Sequence, residues 1–80
     1  MMTGNFDGYS RAVAITPSDA TNFTAGACHA IYVGGAGNIT AVVDGTAVLF
    51  AAVPVGAVLQ VRATRVNATG TAATNLVALY

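Results

Sequence analysis

The stretch Ile39-Thr40-Ala41-Val42-Val43-Asp44-Gly45-Thr46-Ala47-Val48-Leu49-Phe50-Ala51-Ala52-Val53 decides the fold. Two runs rich in Val, Thr and other strand-forming residues flank Asp44-Gly45. Asp-Gly is a strong short-range hairpin signal, because the tight turns whose twist matches paired strands need positive φ at their centre. β-Branched residues are stiff at χ1 and pack well on a pleated surface. The segment therefore predicts two antiparallel strands, Ile39–Val43 and Thr46–Val53.

On either side, short β-rich runs alternate with turn signals. Upstream come a strand at Arg11–Ile15, then a turn at Thr16-Pro17-Ser18-Asp19 with Pro where a type I turn prefers it. Thr21–Thr24 is weakly strand-like, Cys28–Val33 is a strong strand, and Gly34-Gly35-Ala36-Gly37-Asn38 is a flexible connection. Downstream, Pro54-Val55-Gly56 turns the chain and Val58–Val66 reads as the longest strand. Asn67–Thr71 is a loop, and Asn75–Tyr80 closes the chain. No segment sustains a 3.6-residue apolar period with caps; in Thr71–Ala78 the Thr, Asn and Val residues outweigh the Ala content. This spacing predicts an all-β fold, a small antiparallel β-sandwich or barrel of about six to eight short strands. Residues 1–10 read as an N-terminal arm whose anchors are Phe6 and Tyr9, and residues 11–80 as one β-domain.

Alternation indicates which faces need cover. In Val58–Val66, Leu59, Val61 and Ala63 share one face and Gln60, Arg62 and Thr64 the other. Arg65 then falls on the apolar side, so either a bulge near Ala63 shifts the phase or Arg65 is buried against a carboxylate. Ile39–Val43 and Thr46–Val53 are apolar on both faces, the pattern of strands buried twice. In a two-layer domain this small, the second face is expected to meet another subunit, with Val48 and Phe50 against a neighbour or the core.

Charge is scarce. Three arginines and three aspartates make up the 8% charged residues of an 80-residue chain that is 55% hydrophobic, against roughly 25% charged in an ordinary soluble domain. A soluble monomer relies on charged surface, so either a membrane or other protein covers this chain. A spanning helix needs about 20 consecutive apolar residues; the run Ala47 to Leu59 is shorter and broken by Pro54 and Gly56. A part in an oligomeric barrel is the remaining membrane alternative. Met1 to Ser10 is polar and Gly-bearing, so no secretory signal is expected there. The reading taken is a soluble subunit with no membrane partner. Small domains make up for a small core with disulfides, metals or oligomerisation. With one cysteine and one histidine, oligomerisation is the device expected here. The zero formal net charge provides no electrostatic footprint for nucleic acid.

Few residues suggest chemistry. Cys28 and His29 are adjacent in a strand and point to opposite faces, so they cannot share a metal sphere or act as a nucleophile and its base. Gly34-Gly35-Ala36-Gly37 lacks the Lys-Ser/Thr of a phosphate loop and leads into a strand, not a helix. Ser10 and Ser18 have no nucleophile-elbow context. No catalytic residue, cofactor or metal is expected. The sequons at Asn22, Asn38 and Asn67 read as turn asparagines followed by strand threonines. Arg62 and Arg65 form the only basic pair of the domain, each able to offer a bidentate fork to a partner carboxylate or glycan.

Ala30-Ile31-Tyr32-Val33-Gly34, Asp44-Gly45-Thr46 and Val53-Pro54-Val55-Gly56 occur in that order. Val61-Arg62-Ala63-Thr64-Arg65-Val66, Ala68-Thr69-Gly70-Thr71-Ala72-Ala73-Thr74 and Val77-Ala78-Leu79-Tyr80 follow them. With Ile15-Thr16-Pro17-Ser18-Asp19 upstream, this resembles the spike base family of gene transfer agents and related tailed phages, from about Val13 to Tyr80. The resemblance implies a virion structural protein on the exterior of an HK97-type capsid, acting as a cement subunit or head-spike base. It implies docking on the major capsid protein, with a spike fibre as a further candidate partner. Self-association as a trimer or pentamer is expected. The alternative is a phage module that binds host glycan through Tyr9, Tyr32 or Tyr80. The candidate interface residues are Phe6, Tyr9, Val48, Phe50, Arg62, Arg65 and Tyr80.

Overall fold

The computed structural model describes residues 9–80; Phe6 and most of the expected arm lie outside the described residues. Seven strands form: β1 (Ala12–Ala14), β2 (Ala30–Gly35), β3 (Gly37–Val43), β4 (Thr46–Val53), β5 (Val58–Leu59), β6 (Ala63–Val66) and β7 (Thr74–Leu79). They build two antiparallel sheets, a four-stranded one in the order β1-β7-β2-β5 and a three-stranded one in the order β4-β3-β6. The expected all-β architecture is the one observed.

The hairpin is where the sequence placed it. Val43 pairs with Thr46, Ala41 with Val48 and Ile39 with Phe50. Asp44 and Gly45 take φ of 53° and 76°, the left-handed conformations that such a turn requires. The core lies between the sheets. Ile31, Val33, Leu76 and Ala78 enter it from the first sheet, and Ile39, Ala41, Val53, Ala63 and Val66 from the second.

The run Val58–Val66 is not one strand. It divides into β5, paired with β2 in the first sheet, and β6, paired with β3 in the second. The chain crosses between sheets at Gln60–Arg62, bent by a hydrogen bond from the Val61 N–H to the Leu59 carbonyl at 2.9 Å. The uniform alternation concealed this, because Leu59 and Ala63 reach the same core from opposite walls. Within β6 the pairing slips: Val42 faces Arg65 and Val43 faces Ala63, leaving Thr64 as the extra residue of a bulge. Ala63 and Val66 are therefore both buried while Arg65 shares the outward face with Val42. Of the two explanations for the Arg65 phase, the bulge is the one present.

The weak strand at Thr21–Thr24 does not form, although the Phe23 N–H still bonds the Thr64 carbonyl at 2.8 Å. The glycine-rich connection is a tight crossing, not a loose loop. A Cβ on Gly35 would collide with the Thr74 hydroxyl, and one on Gly37 would lie 2.7 Å from the Ala73 nitrogen. The Asn38 carbonyl accepts from the N–H groups of both Ala72 and Ala73, at 2.8 and 3.1 Å.

A second bulge lies at the far end of β4, where Phe50 to Val53 spans what Ile39 to Gly37 spans on β3. Ala52 sits there at φ 54°, and its N–H donates to Asn38 Oδ1 at 2.8 Å. A left-handed residue with a Cβ costs about 1–2 kcal/mol, and glycine brings back an entropic penalty of roughly 0.5–1 kcal/mol. Ala52→Gly is therefore expected to stabilise the fold by about 0.5–1 kcal/mol. A urea denaturation midpoint at or below that of the parent chain would contradict this.

Candidate interaction surfaces

The segment between β1 and β2 lies along the outer edge of β6. Backbone N–H groups of Ser18, Phe23 and Cys28 bond the carbonyls of Val66, Thr64 and Ala63 at 2.8–2.9 Å. Ser18 Oγ accepts from the N–H groups of Ala20 and Thr21 at 3.2 and 3.0 Å, tightening the turn. Asp19 fastens this strap to the β6–β7 loop. Its carboxylate accepts from the Thr69 N–H at 2.9 Å and the Thr69 hydroxyl at 2.7 Å. Those two bonds, the backbone one first, hold its carboxyl below the usual value, and the positive charge of Arg65 adds to the effect.

Arg65 is half-buried and pairs with neutral amides: its Nε donates to Asn67 Oδ1 at 2.9 Å and its Nη1 to Asn22 Oδ1 at 3.4 Å. Arg62 lies in the crossing between sheets and is exposed. The two arginines thus belong to different surroundings. The three sequon asparagines all have structural work, since Asn22 and Asn67 hold Arg65 and Asn38 holds Ala52.

Tyr80 ends β7 in a corner. Its hydroxyl donates to the Gly26 carbonyl at 2.9 Å, its N–H donates to the Arg11 carbonyl at 2.8 Å, and the Arg11 guanidinium lies 5.8 Å from the ring centroid. Desolvation pushes the phenol up from its ordinary value. Beside it opens a cleft of about 540 Å³, lined by β1, the Thr16–Ser18 and Thr21–Ala25 stretches and Tyr80. Tyr80 continues the inward phase of Leu76 and Ala78, whereas Tyr32 pairs with Val77 on the outward face. The two tyrosines therefore lie on opposite sides of the sheet and form no common platform. Tyr9 is exposed.

Cys28 is fully buried, with Sγ 3.7 Å from the Val61 carbonyl oxygen, and burial raises its thiol pKa. His29 is exposed. Among the described residues no group of three His, Cys, Asp or Glu side chains converges to hold a metal. Among the described residues no helix is long and apolar enough to cross a membrane.

The apolar surface is concentrated in two places. On the first sheet, Ala14, Val77, Tyr32 and Val58 form an outward row across all four strands. On the second, β4 is open. Val48 faces the core side but is 38% exposed, Phe50 is half-buried against the core, and outward-facing Leu49 is 55% exposed. The outer face of β3 is better covered, with Val42 opposite Arg65 only 7% exposed. Sequence reasoning named Val48 and Phe50 but missed Leu49, whose alternation with Ala47 was the available signal. The Asp19–Thr69 link joins residues 50 positions apart and left no local trace.

The described chain is a small all-β protein whose distinctive features are uncovered edges and apolar faces. No family model matches it, and no curated protein does. A solved structure is similar: a chain of "Capsid of native GTA particle computed with C5 symmetry", where GTA denotes gene transfer agent. That chain is 34% identical, with a TM-score of 0.80, over 90% of this chain and 83% of its own length. This chain belongs to the family of that gene transfer agent capsid chain.

Asp19 sets an acid limit on the strap. Its folded-state pKa lies below the ordinary value of 3.8, so its contribution is complete above that value and disappears as pH falls through the lowered one. The denaturation midpoint of Asp19→Asn should show a shallower acid decline than the parent between about pH 5 and about pH 2. Parallel curves would mean that the Thr69 contacts do not contribute.

Proposed function

We propose that this chain is a virion structural protein that decorates the capsid exterior, as a cement subunit or head-spike base. It oligomerises and docks on the major capsid protein. The observation that carries this reading is the likeness to the gene transfer agent capsid chain over 90% of the sequence. The ordered motifs from Ile15 to Tyr80 and the two uncovered apolar surfaces support it. A surface that is uncharged over long stretches suits permanent cover by other protein better than lifelong exposure to water. The role is structural, not catalytic.

A second reading is supported by the cleft beside Tyr80, which combines an aromatic ring with the hydroxyls of Thr16, Ser18, Thr21 and Thr24. That mixture suits a neutral sugar, and a host-glycan contact is compatible with a capsid position. A glycan array without signal at high protein concentration would remove it.

The test of the main reading is add-back. Particles lacking this chain should lose surface density at a symmetry axis in a cryo-EM map, and purified chain should restore it. Arg65→Ala should lower the restored occupancy more than Arg62→Ala, because Arg65 is held in place by Asn67 and Asn22. Unchanged density in the deficient particles would overturn the proposal.

A further inference from the structure

We propose that the outer edge of β4 receives the β1 edge of a second copy of this chain, head to tail, by strand addition. The inference deepens the oligomerisation reading above and rests on it.

Thr40 donates its N–H to Thr71 Oγ1, and its carbonyl accepts from the Asn67 N–H, both toward the β6 side. Ladder bonds alternate along a strand. Ile39, Ala41 and Val43 therefore turn their groups to β4, where Phe50, Val48 and Thr46 answer them. Ala47, Leu49 and Ala51 are left with N–H and C=O groups directed away from the sheet. These have no backbone partner among the described residues.

The other sheet ends are not equivalent. The edge of β6 is strapped by Ser18, Phe23 and Cys28. β5 has only two residues. On β1, Arg11 and Ile15 bond to β7, which leaves the groups of Ala12 and Ala14 facing outward. Among the described residues one long edge and one short one thus stand open, on different sheets.

β4 also lacks the devices that keep edges apart. Exposed edges are normally blunted by charge, proline, shortness or a bulge. β4 runs eight residues without a charge or proline, and its bulge lies at the far end. Its inward-facing Val48 is exposed, although Ala41 directly opposite is fully buried. An added strand extends the sheet past β4 and brings its own side chains beside Val48.

Charge selects the second copy as the occupant. The edge itself is neutral, with Asp44 just before it; β1 is neutral, with Arg11 just before it. Aligned start to start, the two edges bring Arg11 of one copy beside Asp44 of the next. A contact between two different surfaces closes into a ring where the rotation allows and otherwise runs on as a filament, whereas a β4–β4 contact stops at a dimer.

Leu49→Pro removes an outward N–H that no intrachain ladder bond uses, so the full-length variant should keep its strand circular dichroism. Its self-association in sedimentation should weaken by about tenfold or more. Ala47→Lys places a charge on the same edge and serves if the proline variant does not fold. Ala47→Cys with Ala14→Cys, which that alignment sets side by side, oxidised and then blocked before denaturation, should run as a ladder of linked copies, and Ala47→Cys alone as monomer. Parent-like association of folded edge variants would overturn the proposal. So would dimers from Ala47→Cys alone, or a parent chain that stays monomeric while binding particles. Binding to deficient particles is measured alongside. Self-association through β4 without particle binding defeats the capsid reading and leaves this one standing; binding with edge variants that assemble normally does the reverse.

Discussion

The rest of the structure depends on the close approach of the Gly34–Gly37 crossing to the start of β7. There the chain passes from one sheet to the other, and Ala72–Ala73 backbone, the Thr74 side chain and Asn75 occupy the space where side chains would stand. Asn75 takes φ 53° at the same place. The contact puts β2 beside β7 in one wall and β3 between β4 and β6 in the other. With the walls so joined, small residues such as Ala41, Ala63, Ala73 and Ala78 fill the core. A bulkier crossing would hold the sheets apart, and a core of alanines and valines has little surface to spend on closing the gap.

The same economy explains the surface. A chain of this size buries only about 60–65% of what it exposes unfolded, and among the described residues nothing pairs with the outer edge of β4. Val48 and Phe50 face the core side but stand at its open end. The strap from Ser18 to Cys28, fastened by Asp19 to Thr69, protects the opposite edge. Among the described residues, the two edges of the smaller sheet are therefore protected unequally.

Much of the site was legible because it rests on short-range rules. The Asp44-Gly45 turn and the burial of Cys28 opposite His29 follow from preferences over a few residues; the misplaced Arg65 left a bulge and a buried ion pair both open, and the bulge is the one present. What escaped depended on which wall a strand joins. Val58–Val66 satisfies period-two alternation whether it is one strand or two, since a sandwich accepts apolar side chains from either side. The expectation that Ile39–Val43 needs a neighbouring subunit on its second face was weakened in the same way, because Arg65 of the same chain lies opposite Val42.

The sequence by itself determined the secondary-structure class, the hairpin at its centre and the shortage of charge, because these depend on local backbone preference and composition. The tertiary structure alone decided which edge is strapped and which is open. It also decided that Tyr32 and Tyr80 face opposite sides, and that Asp19 meets Thr69. Those facts follow from the order of strands in two sheets and from contacts between distant residues, which no local pattern encodes.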